Sequence, residues 1–308
     1  MKSNFILMLL GVAGLGILGS CNRKQPAEKV YSDTYTSGDL KVVSDESFAP
    51  IIDQEIYIFK NDNPKANPIL SYSSENNIIN MLLKDSVEMA FLSRDLTNDE
   101  RAVLTRNNRY AEVSKFAIDA VVIIVNQAAP DTAITVEQVK KMLRGEAGTD
   151  RNLVFDNPNS SLVRYLKDLT GQSNFNLKNI YALKSNKDVI KYVAANPKAI
   201  GIIGFSWIDD PDADYAADTK KVKILAVGDS TNKQGVIQYF RPSQTTLFLK
   251  QYPLKRSLYV VNCTGRKGLG AGLELFIKGD KGQRIILRSG LLPYIIPGRD
   301  IIIHNNKL

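Results

Sequence analysis

The sequence predicts an α/β protein built from mainly parallel β-sheets with helices on both faces. The spacing of apolar residues changes repeatedly between two residues, typical of strands, and about three and a half, typical of helices. The run "DAVVIIVN" (119–126) is almost entirely apolar, which is typical of a strand buried on both faces. Repeated strand and helix units of this kind form layered α/β folds, and there are enough of them for two sheets.

The first series of units extends from residue 39 to residue 126. Its predicted strands are "DLKVVS", "PILSYS", "VEMAFLS" and "DAVVIIVN". One helix is predicted where Phe48, Ile51, Ile52, Ile56 and Phe59 fall on one face, and others at "NIINMLLKDS" and "TNDERAVLTRN". The last of these helices begins with a capping box, in which Thr97 is followed three residues later by Glu100.

A second series starts at Ala133. The helix "ITVEQVKKMLRG" is capped by Thr135 with Gln138 and ends at Gly145. The predicted strands that follow are "NLVFD", "NIYALK", "AIGIIGFSW", "KVKILAVG" and "SLYVVN", and the helices are "SLVRYLKDL" and "SNKDVIKYVAAN". The segment 268–290 predicts two helices separated by a break at 279–282.

The N-terminus predicts export and a lipid anchor. Residues 1–20 carry one positive charge at Lys2 and an apolar stretch too short to span a membrane, as in a signal peptide. The following "LGSC" resembles a bacterial lipobox, which predicts lipid on Cys21 and a periplasmic protein held at a membrane. A plain signal peptide with a chance cysteine is the alternative. Residues 21–37 are polar and predict a flexible tether.

Composition and motifs argue against several classes of function. The formal net charge of +8 is spread along the chain, which does not favour nucleic-acid binding. The single histidine, His304, is four residues from the C-terminus, so histidine-based catalytic and zinc sites are not expected. The motifs "GFSWI", "STNK" and "GLGAG" each lack part of the pattern that a nucleophile or dinucleotide site requires. We therefore expect neither enzymatic activity nor a cofactor or metal site.

The stretch "FDNPNSSLVRYLKDL" (155–169) allows two interpretations. Asn159 or Ser160 can cap the start of an ordinary helix. The same backbone N–H groups, if left free, attract anions. Local sequence alone leaves both interpretations open.

Several segments together resemble the substrate-binding proteins of phosphate ABC transporters. They are "VEMAFLSRDLTNDE", "DAVVIIVNQAAPDTAITVEQVKKMLRGE", "VAANPKAIGIIGFSW", "YPLKRSLYV" and "GQRIILRSGLLP". The resemblance implies the type II periplasmic-binding-protein fold, with two Rossmann-like α/β lobes joined by a two-pass hinge and ligand held between them. It places lobe one at 38–119 plus 258–308 and lobe two at 120–257, with hinge crossings near Ala117–Val121 and Lys255–Tyr259.

The same resemblance implies a set of ligand-binding residues. They are Ser47, Phe48, Ser73, Ser74, Glu75, Arg94, Asn159, Ser160 and Ser161. Serine hydroxyls and backbone N–H groups would donate to ligand oxygens, and Arg94 would offer a bidentate guanidinium. An ion pair of Arg94 with Asp95 or Asp99 is the alternative for that residue.

Some residues depart from the family pattern, so the identity of the ligand stays open. The carboxylate of Glu75 would repel a dianion unless a cation offsets it, and Asp156 adds a second negative charge. The arginine that usually precedes the lobe-two loop is absent. The resemblance implies a protein that binds phosphate or a similar small oxyanion and delivers it to a permease. The alternative is a lipid-anchored interaction or sensor module with an altered pocket.

Overall fold

The computed structural model describes residues 33–146, 151–175, 178–229 and 235–298, and within them strands and helices alternate as predicted. The strands are β1 Ser37–Asp45, β2 Lys65–Ser73, β3 Met89–Leu92, β4 Glu112–Asn126, β5 Ala133–Thr135, β6 Asn152–Phe155, β7 Ile180–Ala182, β8 Ala199–Gly204, β9 Val222–Ile224, β10 Ala226–Gly228, β11 Lys255–Asn262 and β12 Leu292–Pro293. The helices are α1 Ala49–Asp62, α2 Glu75–Leu83, α3 Asn98–Arg106, α4 Val136–Arg144, α5 Ser161–Thr170, α6 Asn186–Ala195, α7 Ser206–Asp209, α8 Ala216–Thr219, α9 Gln244–Phe248, α10 Leu269–Lys278 and α11 Asp280–Arg288. A 3-10 turn, Glu46–Phe48, connects β1 to α1.

Ten strands form one mixed sheet. Its main order is β2, β1, β3, β11, β4, β8, β6 and β7, and β9 and β12 also pair with β4. The predicted parallel pairing is found at both ends, where β1 joins β2 and β3 and where β6 joins β7 and β8. In the middle, β11 is antiparallel to β3 and β4, and β4 is antiparallel to β8. Apolar content indicates burial but not strand direction, so these antiparallel pairs were not predictable from it.

The two segments predicted as hinge crossings lie side by side in the pair of β4 and β11. Lys255 lies opposite Ala120, and Arg256 lies opposite Asp119. The pairing continues where the N–H of Val121 donates to the carbonyl of Leu254 at 2.8 Å. These backbone bonds hold the crossings together.

Buried apolar residues form three clusters. The largest contains residues between 120 and 254, with Ala49 and Leu292 added. The second contains residues from 40 to 117 and from 258 to 291, and the third packs α2, α3 and β3 together. Burial of this apolar surface is the main force that stabilises the fold. The lobe boundaries at 119/120 and 257/258 stay a prediction.

Local signals for helix ends are confirmed. The side chains of Thr97 and Glu100, and of Thr135 and Gln138, form capping boxes at α3 and α4. Gly145 ends α4 with φ of 77°, a conformation that glycine adopts without steric strain. The expected break at 279–282 is shorter than predicted, because only Gly279 separates α10 from α11.

Other differences concern the continuity of strands. "KVKILAVG" was expected as one strand but forms β9 and β10, which pair with β4 and β5 respectively. None of the helices in the described ranges has the length and apolar character needed to cross a membrane. The predicted signal peptide, Cys21, most of the tether, the "STNK" motif and His304 lie outside the described residues.

Candidate functional site

The candidate site lies at the carboxyl ends of strands. Asp45 and Ser73 are the last residues of β1 and β2, and Ser93 and Asp156 directly follow β3 and β6. Ligands of open α/β sheets bind at this edge, because loops and helix starts converge there. A cavity of about 350 Å³ lies here, and we call it and the residues around it the cleft. The cavity is lined by Asp45, Glu46, Tyr72, Ser73, Ser74, Asn157, Ser160 and Lys184.

The carboxylate of Asp45 joins two sides of the cleft. One oxygen accepts a hydrogen bond from the N–H of Ser47, and the other accepts one from the N–H of Ser161, each at 2.9 Å. Ser161 is the first residue of α5, so the positive end of the helix dipole also favours the negative charge. Asp45 is 1% exposed, which makes both hydrogen bonds part of the buried structure.

Asp156 is held by side-chain donors. Its carboxylate accepts hydrogen bonds from the hydroxyls of Ser160 at 2.6 Å and Ser47 at 3.1 Å, and from the amide of Asn186 at 3.1 Å. Burial, together with the neighbouring charge of Asp45, raises the pKa of Asp156 to about 6 despite these donors. This carboxyl is therefore partly protonated at mildly acidic pH.

Glu46 is the third carboxyl of the cleft. Its side chain accepts a hydrogen bond from Asn186 at 3.2 Å. Burial raises the pKa of Glu46 to about 7, and the nearby charges of Asp156 and Asp45 act in the same direction. The cleft thus contains a carboxyl that changes charge near neutral pH.

Glu75 is at the centre of an ion-pair network. Its carboxylate accepts hydrogen bonds from Arg94, Arg164 and Ser93. Arg94 also forms two hydrogen bonds with Glu100, at 2.7 and 2.8 Å. The two arginines supply positive charge that offsets the negative charge of Glu75.

A buried arginine from β11 contributes a further positive charge. The Nε of Arg256 donates to Asp119 at 2.9 Å, and Nη1 donates to the hydroxyl of Ser161 at 3.2 Å. The guanidinium lies over the ring of Phe48, 4.7 Å from its centroid. Arg256 therefore contacts two of the predicted ligand-binding residues from a part of the chain that the loop sequence did not indicate.

The predicted site residues occupy three kinds of position. Ser73, Ser74 and Ser160 line the cavity, whereas Ser47, Phe48, Glu75 and Ser161 are buried in the contacts just described. Asn159 is exposed, and its N–H bonds to the side chain of Asn157 within a turn. Their roles toward a ligand stay predictions.

The contacts of Arg94 and Ser160 bear on two alternatives that the sequence left open. The ion pairs of Arg94 among the described residues are with Glu75 and Glu100, so the alternative partners Asp95 and Asp99 were wrong. Ser160 does cap α5, since its hydroxyl accepts the N–H of Val163, and it also donates to Asp156. Capping and a place in the cleft are therefore compatible.

The predicted site residues did not include Asp45, Glu46, Arg164 or Arg256. Asp45 and Glu46 could have been found, because they follow a predicted strand and precede Ser47 directly. Arg164 and Arg256 gave no local signal. In the described part of the chain, no group of three or more His, Cys, Asp or Glu is arranged to hold a metal ion.

Comparison with known proteins gives a consistent result. Residues 29–278 match the model of a PBP superfamily domain. The phosphate-binding protein PstS of Borreliella burgdorferi is 25% identical over 307 residues, covering 93% of this chain and 98% of that protein.

Solved structures show the same fold. A putative phosphate ABC transporter substrate-binding protein with bound phosphate, from Clostridium perfringens, has a TM-score of 0.68 at 18% identity, covering 84% of this chain and 100% of that one. An ABC-type phosphate transport receptor from Vibrio cholerae has a TM-score of 0.62 at 20% identity, covering 83% and 100% respectively. These similarities establish the mixed α/β fold with a curled sheet that is found in type II periplasmic binding proteins.

Proposed function

Because this chain belongs to the PBP superfamily, we propose that it is an extracytoplasmic solute-binding lipoprotein that captures phosphate, or a similar small oxyanion, for an ABC transporter permease. The lobes 38–119 plus 258–308 and 120–257 close over the ligand by a hinge motion at the pair of β4 and β11. Lipid on Cys21 holds the protein at a membrane in the periplasm, and residues 21–37 form the tether.

The position of Asp45 is the observation that carries this proposal. Asp45 and Ser161 are 116 residues apart in the chain, yet the carboxylate accepts an N–H from Ser161 as well as one from Ser47. Two segments therefore direct backbone donors at one negatively charged group. The oxygens of a small oxyanion accept hydrogen bonds from such donors in the same way.

Phosphate is the proposed ligand for two reasons. It is the ligand in the names of the relatives from Borreliella burgdorferi and Clostridium perfringens. Phosphate also keeps a proton near neutral pH, which makes its negative charge smaller than that of sulfate. The carboxylates around the cleft, such as Glu46, would therefore repel sulfate more strongly than phosphate.

Titration calorimetry tests the proposal. The chain without its signal peptide should bind one phosphate with micromolar or tighter affinity, with a rise in Tm. Sulfate, molybdate and arsenate serve as competing ligands, and sulfate should bind more weakly than phosphate. Absence of heat and of thermal stabilisation with all four anions would contradict the proposal.

A second candidate function is an interaction or sensor module that has kept the fold. The acidic lining of the cavity favours it, because Asp45 and Glu46, with Asp156 buried behind them, would weaken the binding of a dianion. Affinity capture from detergent-solubilised membranes separates the two candidates. A partner other than a permease, found together with no binding of small anions, would support the second.

A further inference from the structure

The carboxylate of Asp45 occupies the point in the cleft where backbone donors from two segments meet. Its two oxygens accept the N–H groups of Ser47 and Ser161 at 2.9 Å each. Ser161 begins α5, a helix of ten residues, so its N–H is one of the donors that lack a partner within the helix. One carboxylate therefore accepts a hydrogen bond from each of the two segments.

This arrangement goes beyond an ordinary cap. Asp45 caps the 3-10 turn Glu46–Phe48 through the bond from Ser47 alone. The second oxygen adds a bond to a helix start far away in the chain, which a local cap does not need. The other carboxyls of the cleft use different donors, since Asp156 and Glu46 accept from the side chains of Ser160, Ser47 and Asn186.

We propose that Asp45 is an internal competitor for the bound oxyanion and thereby sets the affinity of the cleft; this inference rests on the proposed function. Each N–H group carries one hydrogen, so Asp45 and an external anion cannot both use these two donors fully. An anion must displace the carboxylate, or bind beside its negative charge. Either event weakens the binding of the anion. The loss of affinity is larger when the hydrogen bonds from Ser47 and Ser161 to Asp45 are stronger.

Removing the carboxylate should reverse this effect. In Asp45→Ala the N–H groups of Ser47 and Ser161 become buried donors without their acceptor, which favours any anion that supplies one. The loss of a negative charge at the same point acts in the same direction. Asp45→Asn keeps the size and one acceptor oxygen but removes the charge, so it should have an intermediate effect.

The experiment compares inorganic phosphate binding by calorimetry to the wild-type chain without its signal peptide and to Asp45→Asn and Asp45→Ala. We expect affinity to rise in that order, by about tenfold or more for Asp45→Ala, the change given by one charge-assisted hydrogen bond. The rise in Tm on adding phosphate should also be larger for Asp45→Ala. Asp39→Ala is the matched control, because Asp39 is exposed on the same strand, and it should bind as the wild type does.

The outcomes separate this inference from the function on which it rests. If the wild type binds phosphate and both Asp45 variants bind it equally or more weakly, the competitor role is overturned and the proposed function stands. If the wild type does not bind and Asp45→Ala does, the competitor role is supported and transport of phosphate by the natural chain is not. If none of the proteins binds phosphate although all keep a cooperative thermal transition, the competitor role is overturned, and the proposed function is overturned as well when sulfate, molybdate and arsenate also fail to bind.

Discussion

The guanidinium of Arg164 forms hydrogen bonds with Glu75 and Ser93, which are 89 and 71 residues away in the chain. The carboxylate of Glu75 is 1% exposed and also pairs with Arg94. A buried carboxylate needs such partners, because without them its charge would be poorly solvated. The network therefore joins α5 to the start of α2 and to the end of β3.

The first prediction concerns this connection. If the predicted lobes close by the proposed hinge motion, Arg164→Gln should favour the open arrangement and weaken phosphate binding by about tenfold, because it removes the bonds to Glu75 and Ser93 that join the two predicted lobes. Small-angle scattering with and without phosphate measures the change in compactness. Asp168→Asn is the control: it removes only the exposed partner of Arg164, and should change stability by less than about 0.5 kcal/mol. Equal compactness of wild type and Arg164→Gln would contradict the prediction.

The second prediction concerns the buried pair of Arg256 and Asp119, whose side chains are 2% and 1% exposed. Asp119→Asn should lower the free energy of unfolding by about 3–5 kcal/mol, because it leaves a buried guanidinium without its counter-charge. Urea denaturation measures the change. Asp95→Asn, which breaks the exposed pair with Arg101, is the comparison. A loss for Asp119→Asn no greater than for this surface variant would show that the buried pair is not needed for stability.

The third prediction concerns pH and ligand binding. Glu46, with a pKa of about 7, and Asp156, with a pKa of about 6, lose their negative charge as pH falls from about 8 to about 5.5. Phosphate affinity should therefore rise by about tenfold toward acidic pH. Because phosphate itself titrates, the informative comparison is with Glu46→Gln, whose pH dependence should be weaker. Identical pH profiles for the two proteins would exclude a role for Glu46.

Glu46 also has a consequence for stability. Its folded-state pKa lies above the ordinary value of 4.5, so the folded chain binds the proton more tightly than the unfolded chain does. The contribution to the free energy of unfolding is therefore largest below about 4.5 and falls as pH rises to about 7. Glu46→Gln should reduce this decline, as measured by urea denaturation at several pH values.

The fourth prediction concerns Glu55 on α1. The residue is fully buried, and neither carboxyl oxygen has a hydrogen-bond partner among the described residues. Burial raises the pKa of Glu55 well above its ordinary value. At pH 8 the side chain is ionised in the unfolded chain, so folding must either neutralise or bury this charge, and both oppose folding. Glu55→Gln should therefore raise the free energy of unfolding at pH 8 by about 1–3 kcal/mol, and by less at pH 4.

A matched variant makes the Glu55 experiment specific. Glu112 is exposed on β4, so Glu112→Gln should alter stability by less than about 0.5 kcal/mol at either pH. Thermal and urea unfolding of the two variants at pH 4 and pH 8 give the comparison. A Glu55→Gln protein that is less stable than the wild type at pH 8 would show that the carboxylate has a required partner.

Sequence alone predicted most of the strands and helices and several of the helix ends. The change in apolar spacing predicted the alternation of strands and helices, and Thr97, Thr135 and Gly145 marked helix ends correctly, because these signals depend on neighbours within one helical turn. Motif order along the chain also identified the family to which it belongs. The helix signals depend on neighbouring residues, and the identification of the family depends only on the order of the motifs, so neither needs the tertiary structure.

The pairing of charges in the cleft was decided by tertiary structure. Glu75 and Arg164 are 89 residues apart, and Asp45 and Ser161 are 116 apart, so no local pattern relates them. They meet because the carboxyl ends of β1, β2, β3 and β6 converge at one site when the sheet forms. Local sequence does not determine burial even for the neighbouring residues Asn159 and Ser160. Asn159 is exposed, whereas Ser160 is buried against Asp156. Only packing determines which side of a turn is removed from water.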